Sequence, residues 1–482
     1  MFKNALSWIV VIALTVVLWA ACSSGGGGGN NGDSGGDGGD GDPGGGDTSA
    51  NLAPYPQMTW QISNVDVGDP TKPSGLQGKL IRGADGTLYY AYLKFVEGEP
   101  DCDIAVFSDG GFAPSVQYEV RLATRPAGST AWGVETVPLD QVGAPNNVPY
   151  MTSRWGIDAV FDRNGRLTLA FAAGGSGLFS CGSSDLVVAT KLAGGSWQFS
   201  TPATSSADCC PANECPDPAC TSGTDVGPWS AIARDPNGDL AVAYIDQHNA
   251  TDEDGTSFIG LEFWHQTGGI SGIKPWSGLG EFNTMAYSGS TAIVVTTGFQ
   301  RPGLFVYRRT GSAGSVNDWQ ERVLRQAPSV VGESISLAVG QNGRVGLAFN
   351  ELVDAFGATV NDLIYCESAD HGETWAACEN VDFPILNLGR HPDLVFDSAG
   401  RPVISYRVCG NGSSCDAATD GLRIAWRELN GTWGTADVLF DGTTKSGAFS
   451  QIVLDPVTDE PTIVFHDETR GGALVAAVGS LQ

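Results

Sequence analysis

Basic side chains are scarce in this chain. Lys and Arg number 26 against 54 Asp and Glu, leaving a formal charge of −28 over 482 residues and a pI near 4.3. A protein that grips a phosphate backbone needs the opposite balance at least over a patch, so nucleic acid is excluded as a partner. Histidine is thin as well. His248, His265, His371, His391 and His466 are scattered, with no His-Glu-x-x-His spacing. No phosphate loop occurs, and no Gly-x-Ser-x-Gly elbow stands in a strand–turn–helix context, so neither a cofactor nor a metal is expected. Helical periodicity is missing throughout, and after Ile9–Leu18 no hydrophobic run approaches the length of a membrane span. Charge is sparse overall, at 17% against 41% apolar residues, which permits a large core.

What is present begins with an address. Lys3 and the short apolar run form an export signal. The run ends Ala20-Ala21-Cys22, which resembles the lipobox of bacterial lipoproteins, in which the Cys is lipidated and becomes the new N-terminus. Residues 1–21 are then a signal peptide. Residues 22–53 carry the lipid and a tether of Gly, Asp, Ser and Asn with nothing to bury. The resemblance implies membrane attachment through Cys22. Ser23 is unlike the Asp that marks inner-membrane retention in enteric bacteria, so the outer membrane or cell surface is the expected location. Removing Cys22 from eleven cysteines leaves an even ten. Their clustering in an oxidising compartment predicts disulfides Cys366–Cys378 and Cys409–Cys415. Cys209, Cys210, Cys215 and Cys220 read as two staples in a long loop, since zinc-ribbon spacing is lacking, and their pairing with Cys102 and Cys181 stays open.

From residue 54 to 482 the chain repeats. A unit is an apolar strand, a tight Asp/Asn-Gly turn, a second strand ending in an aromatic, a variable loop, and a third strand. A Gly-rich turn, a Trp and a fourth strand complete it. The first turns centre on Gly86, Gly165, Gly238, Gly289, Gly343, Gly400 and Asp459, and the Trp positions are 132, 197, 319, 375 and 433. Seven units of four antiparallel strands predict an all-β, seven-bladed propeller; six or eight blades would require misreading the weak fourth unit. The last unit stops after three strands, whereas Met58–Val65 matches a fourth. The expected ring therefore closes by pairing N- and C-terminal strands.

One hairpin, Ser368-x-Asp370-x-Gly372-x-Thr374-Trp375, fits the Asp-box pattern and resembles the repeat of sialidase-like (BNR) propellers. The resemblance extends to exported bacterial lipoproteins carrying such a propeller. It implies a turn-capping role for Ser368, Asp370, Gly372 and Trp375, with no catalytic part. The loops from second to third strand and between blades would carry the binding function. Ends of strands there supply candidate ligand contacts: Trp155, Trp229, Tyr244, Asp246, His248, Arg390, Arg407, His466 and Asp467. Aromatics beside carboxylates and arginines suit a glycan or protein ligand. A sialidase would need three arginines on the substrate carboxylate and a Tyr–Glu pair. Residues 78–83 show no Arg-x-Pro, and Arg390-His391-Pro392 falls in the sixth blade. The reading is a surface-anchored, monomeric binding or scaffolding module, with an exo-glycosidase of sialidase type as the alternative.

Overall fold

A computed structural model describes residues 55–69, 71–105, 112–142, 156–174, 184–204, 225–251, 257–274, 279–298, 302–310, 318–326, 330–355, 358–382, 387–409 and 420–481. Cys22, the signal and tether, Trp155 and Cys415 lie outside them. The strands form seven four-stranded antiparallel blades, written here from the inner to the outer strand. Blade 1 is Ser74–Arg82, Leu88–Ala105, Phe112–Arg125 and Gly133–Thr136. Blade 2 is Ile157–Phe161, Leu167–Gly174, Ser184–Lys191 and Trp197–Ala203. Blade 3 is Ala231–Arg234, Leu240–Thr251, Ser257–His265 and Gly269–Lys274. Blade 4 is Leu279–Ser288, Thr291–Gly298, Gly303–Thr310 and Gln320–Gln326. Blade 5 is Val330–Val339, Val345–Ala355, Ala358–Ser368 and Glu379–Asn380. Blade 6 is Asn387–Phe396, Pro402–Cys409, Asp420–Arg427 and Trp433–Leu439. Blade 7 takes Ala448–Leu454, Pro461–Asp467 and Ala473–Leu481 from the C-terminus and Met58–Asp66 from the N-terminus. Among the described residues there is no α-helix.

Closure is visible twice. Met58 pairs with Leu481 and the register runs to Asp66 beside Leu474, so the last blade is completed by the start of the body. The seven inner strands also touch in sequence, and the inner strand of blade 7 meets that of blade 1. One addition was not expected. The short strand Asp225–Val226 runs parallel to blade 2 at Ser184 and antiparallel to blade 3 at Asp246, tying those two blades into one sheet.

The core is divided. Seven hydrophobic clusters occur, one between each pair of neighbouring blades, because each sheet is covered on both faces. The repeated tryptophans serve these seams. Trp319 packs edge-on against Phe263 of blade 3 at 5.2 Å, and Trp433 against Tyr365 of blade 5 at 5.3 Å.

The seven first turns adopt the left-handed backbone their sequence requires. Gly86, Gly165, Gly238, Gly289, Gly343 and Gly400 all have positive φ, and Asp459 takes φ 57° where the others have Gly. In the turn at Ser368, Asp370 Oδ1 accepts from Thr374 N–H and Oδ2 from the Thr374 hydroxyl, at 2.8 and 2.6 Å. Ser368 Oγ accepts from Gly372 N–H at 2.9 Å, and Trp375 Nε1–H donates to the Gly372 carbonyl at 3.1 Å. The Thr374 contacts, side chain first, hold the Asp370 carboxyl down to about 2. A disulfide joins Cys366 and Cys378 within blade 5. Cys409 is also disulfide-bonded.

Candidate functional site

The up-and-down order of each blade sorts its connections. Turns from first to second and from third to fourth strand share one face, the turn face. Connections from second to third strand and from blade to blade share the other, the loop face. The strand ends singled out above for binding therefore lie on the loop face, and the Ser368–Trp375 turn lies opposite.

At the loop-face end of the inner strands the backbone does something unusual. Gln77, Trp229, Phe282, His391 and Phe449 have φ of 44°, 48°, 49°, 51° and 53°. Pairing with the second strand slips at Leu76/Lys79, Glu281/Thr284, Arg390/Asp393 and Ala448/Gln451, so these are equivalent bulges in blades 1, 4, 6 and 7. Just before them, Gly227 and Gly389 press on the preceding blade. A Cβ on either would come within 2.8 Å of Leu186 or 2.5 Å of Leu363. That close approach throws the following residues inward. Left-handed backbone costs a bulky residue about 1 kcal/mol or more, yet four of the five positions hold a ring. Trp229 meets Phe282 edge-on at 5.5 Å, and His391 meets Phe449 at 4.3 Å. All five side chains are half-buried, and the Trp229 indole N–H is buried without a partner.

Beside the His391–Phe449 pair stands a polar cluster from blades 6 and 7. Arg407 donates to Asp420 at 2.6 Å and to Glu468 at 3.1 Å. Burial, and then Glu468, push the Asp420 carboxyl up, against the pull of Arg407. Burial first, and then Arg407, Arg390 and His466, hold His391 down to about 3, so its ring is neutral. His466 is lowered as well, chiefly by burial, and its Nδ1 lies 2.7 Å from the Ser74 carbonyl of blade 1. A carbonyl only accepts, so the proton sits on Nδ1.

Two residues further along the inner strands, Lys79 of blade 1 reaches Asp393 of blade 6 at 3.8 Å. These blades are not neighbours, so the contact crosses the central channel. Asp393 also accepts from Ser336 Oγ and Ile452 N–H, both at 2.8 Å. Asp158 of blade 2 accepts from Ile232 N–H at 2.9 Å and lies close enough to contribute to raising Lys79 against its burial. The channel thus carries an ionic plug below the aromatic rim.

Of the residues expected to bind, Trp229 is on the rim, and Arg390, Arg407 and His466 gather around His391. The others are placed differently. Tyr244 is fully buried between blades 2 and 3, where its hydroxyl donates to Glu262 at 2.9 Å, because alternation along the strand turns it into the seam. Asp246 is buried opposite Val226 in the bridge between those blades. Asp467 caps its own loop, accepting from the N–H groups of Thr469 and Arg470 at 3.0 and 3.1 Å. His248 lies in the second strand of blade 3. Phe282, Phe449, Asp420 and the channel residues were not anticipated. A signal for the rim exists: Gly75-Leu-Gln77, Gly227-Pro-Trp229, Gly280-Glu-Phe282, Gly389-Arg-His391 and Gly447-Ala-Phe449 share one spacing.

Among the described residues, Asp235, Asp239 and His265 on the turn face form a group whose atoms could converge on one ion. Asp235 Oδ1 already accepts from Asp239 N–H at 2.8 Å, and Thr267 Oγ1 bonds both Asp239 and His265.

No protein-family model matches the chain, and no curated protein matches it. Among solved structures it is similar to an α-L-arabinofuranosidase of Fusarium graminearum, at 14% identity over 88% of this chain and 98% of that one, with a TM-score of 0.47. It is similar to the NanB sialidase of Streptococcus pneumoniae at 10% identity, covering 87% and 70% of the two chains with a TM-score of 0.43. A protein of unknown function from Dyadobacter fermentans gives 13%, 87%, 99% and 0.45 in the same order. Likenesses this distant carry no assignment of activity.

Proposed function

We propose that the protein is a binding module, held at the outer membrane or cell surface by a lipid on Cys22, whose loop-face rim docks a glycan. The observation that carries this reading is the set of rings at Trp229, Phe282, His391 and Phe449, each kept in backbone that costs energy. Ring faces suit the C–H faces of sugars, and Glu468, held by the buried Arg407–Asp420 pair, supplies an exposed acceptor for hydroxyls. On the same reading the turn at Ser368–Trp375 is an Asp box and the other third-to-fourth turns are worn copies of it. A protein ligand is the other occupant that such a rim admits. The test is a glycan-array screen of the chain beside Trp229→Ala and Phe449→Ala. Each variant is expected to lose tenfold or more, about 1.4 kcal/mol per tenfold. Undiminished binding by both would sink the rim as the site.

The alternative is hydrolysis of a terminal glycosidic bond, and one observation favours it. Glu351 and Asp362 are cross-strand partners on blade 5, and burial, with Glu351 second, pushes Asp362 up, which suits a general acid beside a carboxylate. A sialidase mechanism finds less support. Tyr244 and Tyr365 each donate to a Glu, but burial foremost pushes both phenols well up, away from a nucleophile. Arg121, Arg325, Arg407 and Arg423 already hold carboxylates of this chain. A panel of fluorogenic glycosides separates the readings, since turnover abolished by Asp362→Asn would establish catalysis.

A further inference from the structure

The blades provide their own controls for one position, the basic residue at or one before the end of the third strand, next to the Trp that precedes or opens the fourth. In blade 2, Lys191 is over Trp197 and pairs with Glu135. In blade 6, Arg427 is close to Glu367 and Glu379, at 3.7 and 3.3 Å. In blade 4, Arg309 lies between Phe263 and Trp319 and is sealed, with 1% of its surface exposed. In blade 1, Arg125 lies over Trp132 at 5.4 Å and has no carboxylate within ion-pair distance among the described residues. The chain has two acids for every base, so this lack is not for want of carboxylates.

Arg125 opens into a cavity of about 490 Å³ on the turn face, in the seam between blade 7 and blade 1. Arg82 lines the same cavity, and the proximity of the two guanidiniums, after burial, lowers Arg125. Asp455 offsets the charge of Arg82, whereas the half-buried charge of Arg125 has no such counterpart among the described residues. The acids present are engaged. Asp455 gives Oδ2 to Arg82 at 3.2 Å and Oδ1 to the N–H groups of Val457 and Thr458, and Glu460 accepts from Leu481 N–H. The Arg82 Nε–H is buried and unpartnered. Arg125 donates to Thr462 Oγ1 at 3.2 Å, which leaves that hydroxyl its own proton to give. Ser63, Ser129 and Thr130 complete a wall of hydroxyls. The volume is over ten times the ~30 Å³ share of one water, and falls in the range of small-molecule sites.

We infer that this seam cavity is a second ligand site, which takes an oxyanion group (sulfate, phosphate or carboxylate) carried on a small saccharide. The group sits between Arg125 and Arg82, and the sugar body fills the hydroxyl-lined remainder. Because blade 7 and blade 1 both supply contacts, the ligand clamps the place where the ring closes and stabilises the folded form by mass action.

The experiment is calorimetric titration of the full chain at fixed ionic strength with glucose 6-sulfate, glucuronate, glucose and inorganic sulfate. Glucose 6-sulfate or glucuronate is expected to bind at least tenfold more tightly than glucose. Arg125→Gln should lose that preference, while Arg163→Gln, an exposed arginine elsewhere on the turn face, should keep it. Thr462→Val, which keeps both charges, should weaken binding several-fold and serves if Arg125→Gln fails to fold. Inorganic sulfate binding as tightly as the sulfated sugar would make the free ion the source and overturn the saccharide. No saturable binding of any oxyanion, or binding unchanged in both Arg125→Gln and Thr462→Val, overturns the site.

Discussion

His391 concentrates the tension of the loop face in one side chain: left-handed backbone, a ring tilted against Phe449, and a pKa lowered to about 3 by burial and neighbouring cations. In the unfolded chain it titrates near its ordinary value, about 6.5. The unfolded state therefore takes up a proton first as pH falls. The stability tied to His391 is fully present above about 6.5 and is lost progressively as pH drops toward 3. Thermal melts between pH 7 and 4 should show a shallower decline for His391→Gln than for the parent, with His466, lowered for the same first cause, accounting for part of what remains. Identical slopes would mean that the imidazole is not the sensor. At this scale the sequence was partly legible. Trp229, Arg390, Arg407 and His466 could be chosen from strand ends, whereas Phe449 and Phe282 could not. Positive φ is the habit of Gly and Asn, so nothing in an aromatic side chain announces it. Tyr244 misled for a related reason, since only the handedness of alternation in its strand decides whether the ring faces the mouth or the seam.

Elements were read more reliably, because their signals are local. Every first turn named from its Gly or Asp takes positive φ, and the closing strand was visible as a fourth strand without its first three. The bridge at Asp225–Val226 was not visible, since two residues carry no periodicity. Deleting Met58–Asp66 should lower the melting temperature of the whole body in one transition. It removes an edge from blade 7 and uncovers the seam where Trp60 and Ile62 pack. A truncated chain that melts with its parent would contradict closure by this strand. Replacing Cys366 and Cys378 by Ser opens a loop of sequence separation 12 and should cost about 3 kcal/mol in chemical denaturation. A midpoint unmoved by that change would show the staple to be idle.

For the whole molecule, repetition is what made the architecture legible, and the same repetition hid the site: seven similar blades say where ligands bind in general and little about which ligand. The channel plug joins Lys79 and Asp393 across more than 300 positions of sequence, a pairing no local pattern announces. Anchoring belongs to this scale too. Cys22→Ala should move the protein from the membrane to the soluble fraction, and radiolabelled palmitate should enter the parent alone, because two acyl chains hold a protein where one does not. Failure of the parent to take up label would make the chain freely secreted. The closing strand has a mechanical consequence. Met58 lies at the turn face and Asp66 at the loop face, with eight register pairs to Ala473–Leu481 between them. A load that enters through the N-terminus while a partner holds the loop face runs along this strand. All eight pairs then bear it in shear together, instead of parting one after another from an end, and rupture is governed by the rate of unfolding rather than by equilibrium stability. Pulled in this direction, the ring should give way late and all at once.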